Sequence, residues 1–396
     1  MDVVIAKDKV LFSIISFFFW FTQFLYVPIL SPYLKTLGGH YTFIGIVLSS
    51  YGLMQLFCRL PVGIFSDFLN MRKPFIVFGM MTATCSCLLF ALTDAFIWGL
   101  IARCLAGLAA ATWVAFTIMY ANYFKENESQ KAMNYISFIV VLAQLLGMSF
   151  SGYIVDIFGW KAPFWIGSFI GLIGLVLSLF ILEQKTENKT QLKMKQLIKV
   201  AKEPALLKIS LLSILAHSMI FTTMFGFTST YALTIGMKQS ELFYVVCSFM
   251  MPHTLAPLLL ARLLKEANKR NILIGSFTVA SFSIFMIPFI QQKVIFYINQ
   301  GVGGLALGFI FPILLGMAIE SVSQSFRATA MGAYQALYAL GIFGGPFIAG
   351  MVNHVFGIAF GFYFEAILGV CAVGLIMTKT FEKIQNHDTH TIKRHT

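Results

Sequence analysis

The chain has 396 residues, of which 58% are hydrophobic and only 11% are charged, and its mean hydropathy is +0.83. A soluble domain is about 25% charged, so this composition excludes an ordinary soluble protein and indicates a membrane protein. The net charge of +12 would suit a nucleic-acid partner. However, the basic residues lie in short loops between apolar runs and form no continuous face, so no nucleic-acid binding is expected.

Apolar runs long enough to cross a bilayer recur along the whole chain. A transmembrane helix needs about 20 such residues. On this measure the sequence predicts twelve spans, numbered here in chain order: 10–34, 42–68, 74–93, 96–123, 132–156, 162–182, 206–234, 240–263, 271–290, 294–319, 328–354 and 359–379. The first run has no small-residue cleavage site and is longer than the apolar core of a signal peptide, so it is predicted to be retained.

A long polar break divides the spans six and six. The predicted domains are an N-terminal half (1–183), a cytoplasmic basic linker (184–204), a C-terminal half (205–381) and a cytoplasmic tail (382–396). An offset of 198 residues matches landmarks of the two halves, such as Gly147 with Gly345 and Gly152 with Gly350. Two similar halves in the same orientation are typical of parallel-repeat transporters. The predicted fold class is therefore an all-α membrane protein with twelve transmembrane helices in two pseudo-symmetric six-helix halves.

The loops between the spans carry basic residues mainly on one side of the membrane. With a cytoplasmic N-terminus, the opposite side receives only Lys35, Lys161, Lys238 and Lys293. Cytoplasmic loops are enriched in Lys and Arg, so both termini are predicted to be cytoplasmic. The chain is expected to be a multi-pass protein of the cell's inner membrane.

A charged hairpin at 59–73 joins spans 2 and 3 on the predicted cytoplasmic side. In it, Gly63, Asp67, Arg72 and Lys73 follow the order of the hairpin signature of the major facilitator superfamily, which the chain resembles over essentially its whole length. The resemblance implies a latch that breaks and re-forms as the cytoplasmic side opens and closes. In this latch the Asp67 carboxylate caps the positive end of a neighbouring helix, and Arg72 and Lys73 supply ion-pair partners. The alternative is a set of solvated loop charges.

Two further motifs of the family are matched inside the spans. Arg103 and Gly107 correspond to its fourth-span motif, and the resemblance implies a role for this arginine in proton coupling. A fixed positive charge lowers the pKa of a nearby carboxyl group and so favours proton release. The alternative for Arg103 is packing against backbone carbonyls, where small residues let helices approach closely.

The antiporter motif of the family, expected on span 5, is only partly present there. Gly147 and Gly152 lack its proline, whereas Gly345, Pro346 and Gly350 on span 11 include it. These five residues are predicted to serve helix packing.

Four other residues are candidates for proton coupling or for the substrate cavity. Arg59 lies about 12 Å deeper than Asp67, where an arginine faces a cavity or a partner or extends to the headgroups. Glu365 is an intramembrane carboxyl group on span 12, and His217 on span 7 titrates in a useful range. A single histidine can also be a hydrogen-bonded packing residue. Span 1 offers only Gln23, so the sequence leaves the proton carrier open.

These features favour a carrier over a membrane enzyme, a receptor or a channel. No His, Asp, Glu, Cys or Ser residues have the spacing of a metal site or a catalytic triad, so no enzymatic activity, cofactor or metal is expected. The prediction is a monomeric, proton-coupled exporter of a small molecule, working in the lipid bilayer by alternating access. Because Arg59 and Arg103 have no matching deep carboxylates, the solute is expected to be carboxylate-bearing or zwitterionic, such as a metallophore or siderophore. The alternatives are a multidrug:proton antiporter for amphipathic compounds and an uptake symporter.

Overall fold

The structure is a computed structural model that describes residues 2–69, 71–124, 128–183, 202–263, 268–322 and 327–378. Within these ranges all regular secondary structure is helical, which confirms the predicted all-α class. The tail 382–396 and most of the linker 184–204 lie outside the described residues.

Each predicted span corresponds to one helix or to two consecutive helices. In chain order they are Asp2–Phe24 with Val27–Thr36 (span 1), Tyr41–Phe68 (2), Lys73–Leu92 (3), Phe96–Ala111 with Trp113–Asn122 (4), Ser129–Phe158 (5), Ala162–Ser178 (6), Pro204–Thr222 with Thr228–Thr234 (7), Leu242–Leu263 (8), Lys269–Met286 (9), Lys293–Glu320 (10), Arg327–Phe356 (11) and Ile358–Met377 (12). In the described residues, eleven helical segments are long and apolar enough to cross a membrane, and span 6 is a shorter apolar helix of 17 residues.

Spans 1 and 7 are interrupted at equivalent places of the repeat. Span 1 breaks between Phe24 and Val27. Pro28 follows this break, and a proline lacks the amide donor and collides with the carbonyl four residues earlier. Span 7 passes through one π-helical turn, Thr223–Phe227, which begins 198 residues after Leu25. The repeat seen in the sequence therefore extends to the irregularities of the backbone.

Contacts between residues divide the chain into two compact units. Unit 1 comprises Met1–Thr190 and Phe225–Cys247, and unit 2 comprises Gln191–Met224 and Ser248–Thr396. This division passes through spans 7 and 8. The predicted boundary at the linker 184–204 stays a prediction, because most of that segment lies outside the described residues.

Four helix pairs of unit 1 recur at equivalent positions in unit 2. In unit 1, span 1 packs against spans 5 and 6, and span 3 packs against spans 4 and 6. In unit 2, span 7 packs against spans 11 and 12, and span 9 packs against spans 10 and 12. The second set of pairs is the first set moved along by six spans, as a parallel repeat requires.

In each unit a basic side chain binds the carbonyl end of one helix, span 6 in unit 1 and span 12 in unit 2. In unit 1, Lys73 Nζ donates to the carbonyl of Leu179 at 2.6 Å. In unit 2, Arg270 Nε and Nη2 donate to the carbonyls of Ile376 and Met377, each at 3.2 Å. The last carbonyls of a helix lack intrahelical partners and carry its negative dipole, so a cation stabilises them. Lys73 thus has a structural contact inside unit 1.

At the opposite end of unit 1, Asp94 connects three parts of the chain. Its carboxylate accepts a hydrogen bond from Lys161 Nζ at 2.9 Å and one from the Tyr33 hydroxyl at 2.8 Å. These bonds favour the ionised form and hold the pKa of Asp94 below its usual range. The resulting stabilisation is present above the unfolded pKa of about 3.9 and is lost as the pH falls through the lowered pKa of the folded state.

Candidate functional site

Arg103 lies in an aromatic setting inside unit 1. The side chain is 2% exposed, and its Nη1 donates to the Tyr26 hydroxyl at 3.3 Å. Its Cζ lies 4.3 Å from the centre of the Tyr51 ring, within the range of a cation–π contact. Arg103 Nε is buried and has no hydrogen-bond partner, and no carboxylate among the described residues forms an ion pair with this side chain. The site is therefore a buried positive charge with at least one unused hydrogen-bond donor.

Two polar side chains of span 1, Trp20 and Gln23, precede Tyr26 in the chain. They lie three residues apart in the helix Asp2–Phe24 and so share one side of it, whereas Tyr26 lies in the break that follows this helix. Gln23 is 2% exposed, and its Oε1 and Nε2 have no hydrogen-bond partner among the described residues, nor has Trp20 Nε1. A buried polar group without a partner costs about 1–3 kcal/mol. Such unpaired donors and acceptors inside unit 1 are suited to hydrogen-bonding a polar solute.

Arg59 is buried in span 2. Its Nη2 donates to Gln55 Oε1 at 2.9 Å, one helical turn earlier. Only 5% of the residue is exposed.

The predicted latch residues form a compact network at the end of span 2. Asp67 pairs with Arg72 through Nη2, and Arg72 Nη1 also donates to Ser66 Oγ at 2.6 Å. The Asp67 side chain is 58% exposed, whereas that of Arg72 is 14% exposed. Asp67 is therefore accessible to solvent, whereas Arg72 is held in place by its second hydrogen bond and its burial.

Glu183 completes this network and was not identified from the sequence. Its two carboxylate oxygens accept from the backbone amides of Arg72 and Lys73, the latter at 3.1 Å. It therefore caps the first turn of span 3, the kind of contact that was expected of Asp67. The only signal in the sequence is that Glu183 is the first charged residue after the apolar run of span 6.

The two candidates of unit 2 differ in their surroundings. Glu365 is fully buried and accepts hydrogen bonds from Ser218 and Thr222 of span 7. His217 stacks on the Tyr338 ring at 4.0 Å, and its Nδ1 contacts the Ser213 carbonyl at 2.8 Å. The histidine thus occupies a packed aromatic position, whereas Glu365 is a buried acid.

The glycines of the family motifs lie at close approaches between helices. A Cβ at Gly107 would lie 2.5 Å from the Tyr51 carbonyl oxygen, and one at Gly147 would lie 3.2 Å from the Phe21 carbonyl oxygen. Gly63 has more room, since Val114 Cγ1 is 3.9 Å away. Gly152 leaves no room for a side chain beside the Gln239 carbonyl.

On span 11, Gly345, Pro346 and Gly350 are all buried. A Cβ at Gly345 would lie 2.7 Å from Thr222 Oγ1 and 2.8 Å from Ser218 Cα. This glycine lets span 11 contact the backbone of span 7, beside the hydroxyl groups that bind Glu365.

Gly345→Ala should destabilise the protein by about 1–3 kcal/mol, because overpacking at a backbone contact forces helices apart. Gly344→Ala is the matched control, since nothing lies within 4 Å of its Cβ position. Thermal unfolding of the purified protein in detergent measures both variants. An equal melting temperature for the two would contradict the close approach of spans 7 and 11.

A groove of about 840 Å³ lies elsewhere in unit 1. It runs between spans 1, 4 and 5 and has Lys9, Tyr120 and Lys131 among its lining residues. None of the candidate residues lines it, so it provides no substrate site around Arg103. The described residues contain no group of three or more His, Cys, Asp or Glu side chains that could hold a metal ion.

Comparison with known proteins places these observations in a family. The sequence profile of the Major Facilitator Superfamily matches residues 12–298 and 244–393. An uncharacterized MFS-type transporter of Methanocaldococcus jannaschii is 22% identical over 93% of this chain and 98% of its own length. A probable sugar efflux transporter of Mannheimia succiniciproducens is 24% identical over 90% of each chain.

Among solved structures, a mutant form of the nucleoside transporter NupG superposes with a TM-score of 0.79 at 16% identity. The match covers 93% of this chain and 99% of that chain. At this identity the likeness concerns the fold alone, and it confirms the predicted twelve-span architecture.

Proposed function

The chain belongs to the major facilitator superfamily, whose members are membrane transporters, and we propose that it exports a carboxylate-bearing or zwitterionic solute in exchange for protons. A metallophore or siderophore is an example of such a solute. The protein would work by alternating access, as a monomer in the cell's inner membrane, with both termini in the cytoplasm. The observation that carries this proposal is the environment of Arg103.

A carboxylate is the chemical group that Arg103 is best prepared to bind. A guanidinium group donates two parallel hydrogen bonds to a carboxylate, and such charge-assisted bonds are stronger than neutral ones. Here the aromatic rings of Tyr26 and Tyr51 hold the guanidinium group without neutralising its charge. The Gln23 amide and the Trp20 indole could hydrogen-bond the rest of a polar or zwitterionic solute.

Export is favoured over uptake by the name of a relative. The Mannheimia protein, which is similar over most of both chains, is called a probable sugar efflux transporter. The Gly-Pro sequence at Gly345 and Pro346, which resembles the antiporter motif, points the same way. An uptake symporter remains the opposite alternative for direction.

A second candidate, export of amphipathic aromatic drugs, is favoured by the rings around Trp20. The Trp20 ring centre lies 5.1 Å from Trp113 and 5.6 Å from Phe24, and Phe24 lies 5.6 Å from Phe225. Such clusters bind flat apolar molecules. A cationic drug, however, would meet Arg103 with no compensating carboxylate, so we favour the anionic solute.

Export of acids is tested by comparing solutes released from bacterial cells. One strain produces the wild-type chain, and a matched strain produces the Arg103→Ala chain at the same membrane level. We expect acidic solutes to be enriched in the medium of the wild-type strain and retained in the variant. Enrichment of cationic aromatic compounds instead would support the drug exporter, and higher uptake by wild-type cells would support the symporter.

A further inference from the structure

Glu365 lies near the middle of span 12 and is completely buried (0% exposed). Two hydroxyl groups of span 7 bind it. Ser218 Oγ lies 2.9 Å from each carboxylate oxygen, and Thr222 Oγ1 lies 2.6 Å from Oε1. Because Ser218 and Thr222 are four residues apart, one face of span 7 presents both.

The elements packed against span 12 bring no charge to this carboxyl group. They are spans 7, 9 and 11. The ionisable side chains that the structure describes on these three spans are Lys208, His217, Tyr231, Lys269, Arg270, Tyr334, Tyr338 and His354. None of them hydrogen-bonds or forms an ion pair with Glu365, whose described partners are the two hydroxyl groups.

Two basic side chains of these spans have other partners. Lys269 pairs with Glu320 at 2.6 Å, and Arg270 donates to carbonyls at the end of span 12. An ionised Glu365 must therefore be stabilised by hydroxyl groups alone in a medium of low dielectric constant, which is costly. A protonated Glu365 carries no charge, and hydroxyl groups can rotate to accept its O–H.

The repeat shows that the fold does not require an acid at this position. An offset of 198 residues places Gly167 of span 6 opposite Glu365, and Gly171 opposite Gly369. In unit 1, a Cβ at Gly167 would lie 3.0 Å from Cys87 Sγ and 3.4 Å from the Thr22 carbonyl oxygen. The equivalent helices of unit 1 thus pack together with a glycine at this position. The carboxyl group is a feature of unit 2 that the packing of the repeat does not need.

Span 12 approaches its neighbours closely on both sides of Glu365. One turn on either side of it, Gly361 and Gly369 are too close to Asn353 and Ser281 for any side chain. On span 11, a Cβ at Gly345 would lie 2.7 Å from Thr222 Oγ1, so span 11 leaves little room beside this hydroxyl group. A change in the charge of Glu365 therefore acts directly on the contact between spans 7, 11 and 12.

We propose that Glu365 binds the coupling proton and that Ser218 and Thr222 transmit its charge state to span 7. This inference rests on the proposed proton-coupled export. In the step itself, the O–H bond of the carboxyl group breaks, the proton passes to water, and the electron pair stays on the carboxylate. Since Glu365 is fully buried here, proton exchange takes place when spans 7 and 12 separate during the transport cycle.

Proton binding is tested on the purified full-length protein by infrared difference spectroscopy between acidic and alkaline buffer. We expect a protonated-carboxyl C=O band that disappears as the pH rises and that is absent in Glu365→Gln. The control is Asp156→Asn, which removes an exposed carboxylate at the end of span 5 and should leave the band unchanged. An identical pH-dependent band in Glu365→Gln would overturn the proposal.

Ser218→Ala and Thr222→Ala keep the proposal testable should Glu365→Gln fail to fold. Each removes one hydrogen bond to the carboxylate, so each should move the loss of the band to higher pH. A transition at the wild-type pH in both variants would contradict the assigned environment.

Coupling is tested in everted vesicles with carboxyfluorescein as the anionic probe. In Glu365→Gln, transport driven by a pH gradient should fall to the level of vesicles without the protein, whereas exchange of probe across the membrane without a gradient should persist. Unchanged gradient-driven transport would overturn the inference and leave the export function standing. If the infrared band of Glu365 responds to pH but the protein moves no anionic solute, the proposed function is contradicted and the inference about Glu365 stands.

Discussion

Replacing Arg103 with alanine should reduce export of anionic solutes about 10- to 100-fold, because a hydrogen bond to a charged group contributes about 1.5–3 kcal/mol. The loss should appear as weaker binding of the solute and not as loss of protein. Tyr26 keeps its contact with Ser86 at 3.4 Å and its packing against Phe90 and Phe164. These contacts support the fold around the vacated position.

The conservative variant Arg103→Lys separates charge from geometry. A lysine keeps the positive charge but not the planar fork that binds a carboxylate at two points. We expect partial export, between the alanine variant and the wild type. Transport is measured at matched membrane levels of the three proteins, and full activity of the alanine variant would reduce Arg103 to a packing residue.

Asp67→Asn should lower transport about tenfold or more while changing the free energy of unfolding by less than about 1 kcal/mol, the usual limit for an exposed ion pair. The acidic partner is largely exposed, so the pair with Arg72 stabilises the resting protein little. Its expected importance lies in the proposed transport cycle, in which the pair would break and re-form. Glu183 keeps its backbone contacts in this variant and preserves the start of span 3.

The matched control for Asp67 is Glu128→Gln, which breaks another exposed ion pair of unit 1, at 3.5 Å from Lys131. It should transport at the wild-type rate. Equal transport by both variants and the wild type would show that the hairpin pair is a solvated surface contact. A large drop in melting temperature for Asp67→Asn would show a structural role instead.

The bounds of the spans could be predicted from the sequence because charges or turn residues flank the apolar runs. Span 2 was predicted at 42–68 and is Tyr41–Phe68, and span 12 was predicted at 359–379 and is Ile358–Met377. Within a span there are no charges or turn residues to mark a break in the helix. The break after Phe24 and the π-helical turn at Thr223–Phe227 were not predicted, since both lie within continuous apolar sequence.

The sequence identifies the charged residues of the candidate site but not the side chains that they contact. Arg103 and Glu365 are recognisable because a charged side chain within an apolar span is costly and rare. Their partners are ordinary tyrosines, serines and threonines, which occur throughout the spans. Ser218 and Thr222 lie more than 140 residues from Glu365 along the chain, and only the folded structure brings them together.

Glu183 shows the same limit in the hairpin. It lies 111 residues from Arg72, and the sequence does not relate the end of span 6 to the start of span 3. In unit 2 the equivalent ends of spans 9 and 12 are joined by Arg270, a contact that is likewise visible only in the folded structure.

Proton-coupled export of an anionic solute is tested most directly in everted vesicles that contain the wild-type protein. Accumulation of carboxyfluorescein is followed with an imposed pH gradient, acid inside, and again after an uncoupler has collapsed it. We predict accumulation that requires the gradient, stops with the uncoupler and is absent in vesicles containing Arg103→Ala. Accumulation that continues unchanged after addition of the uncoupler would contradict the account.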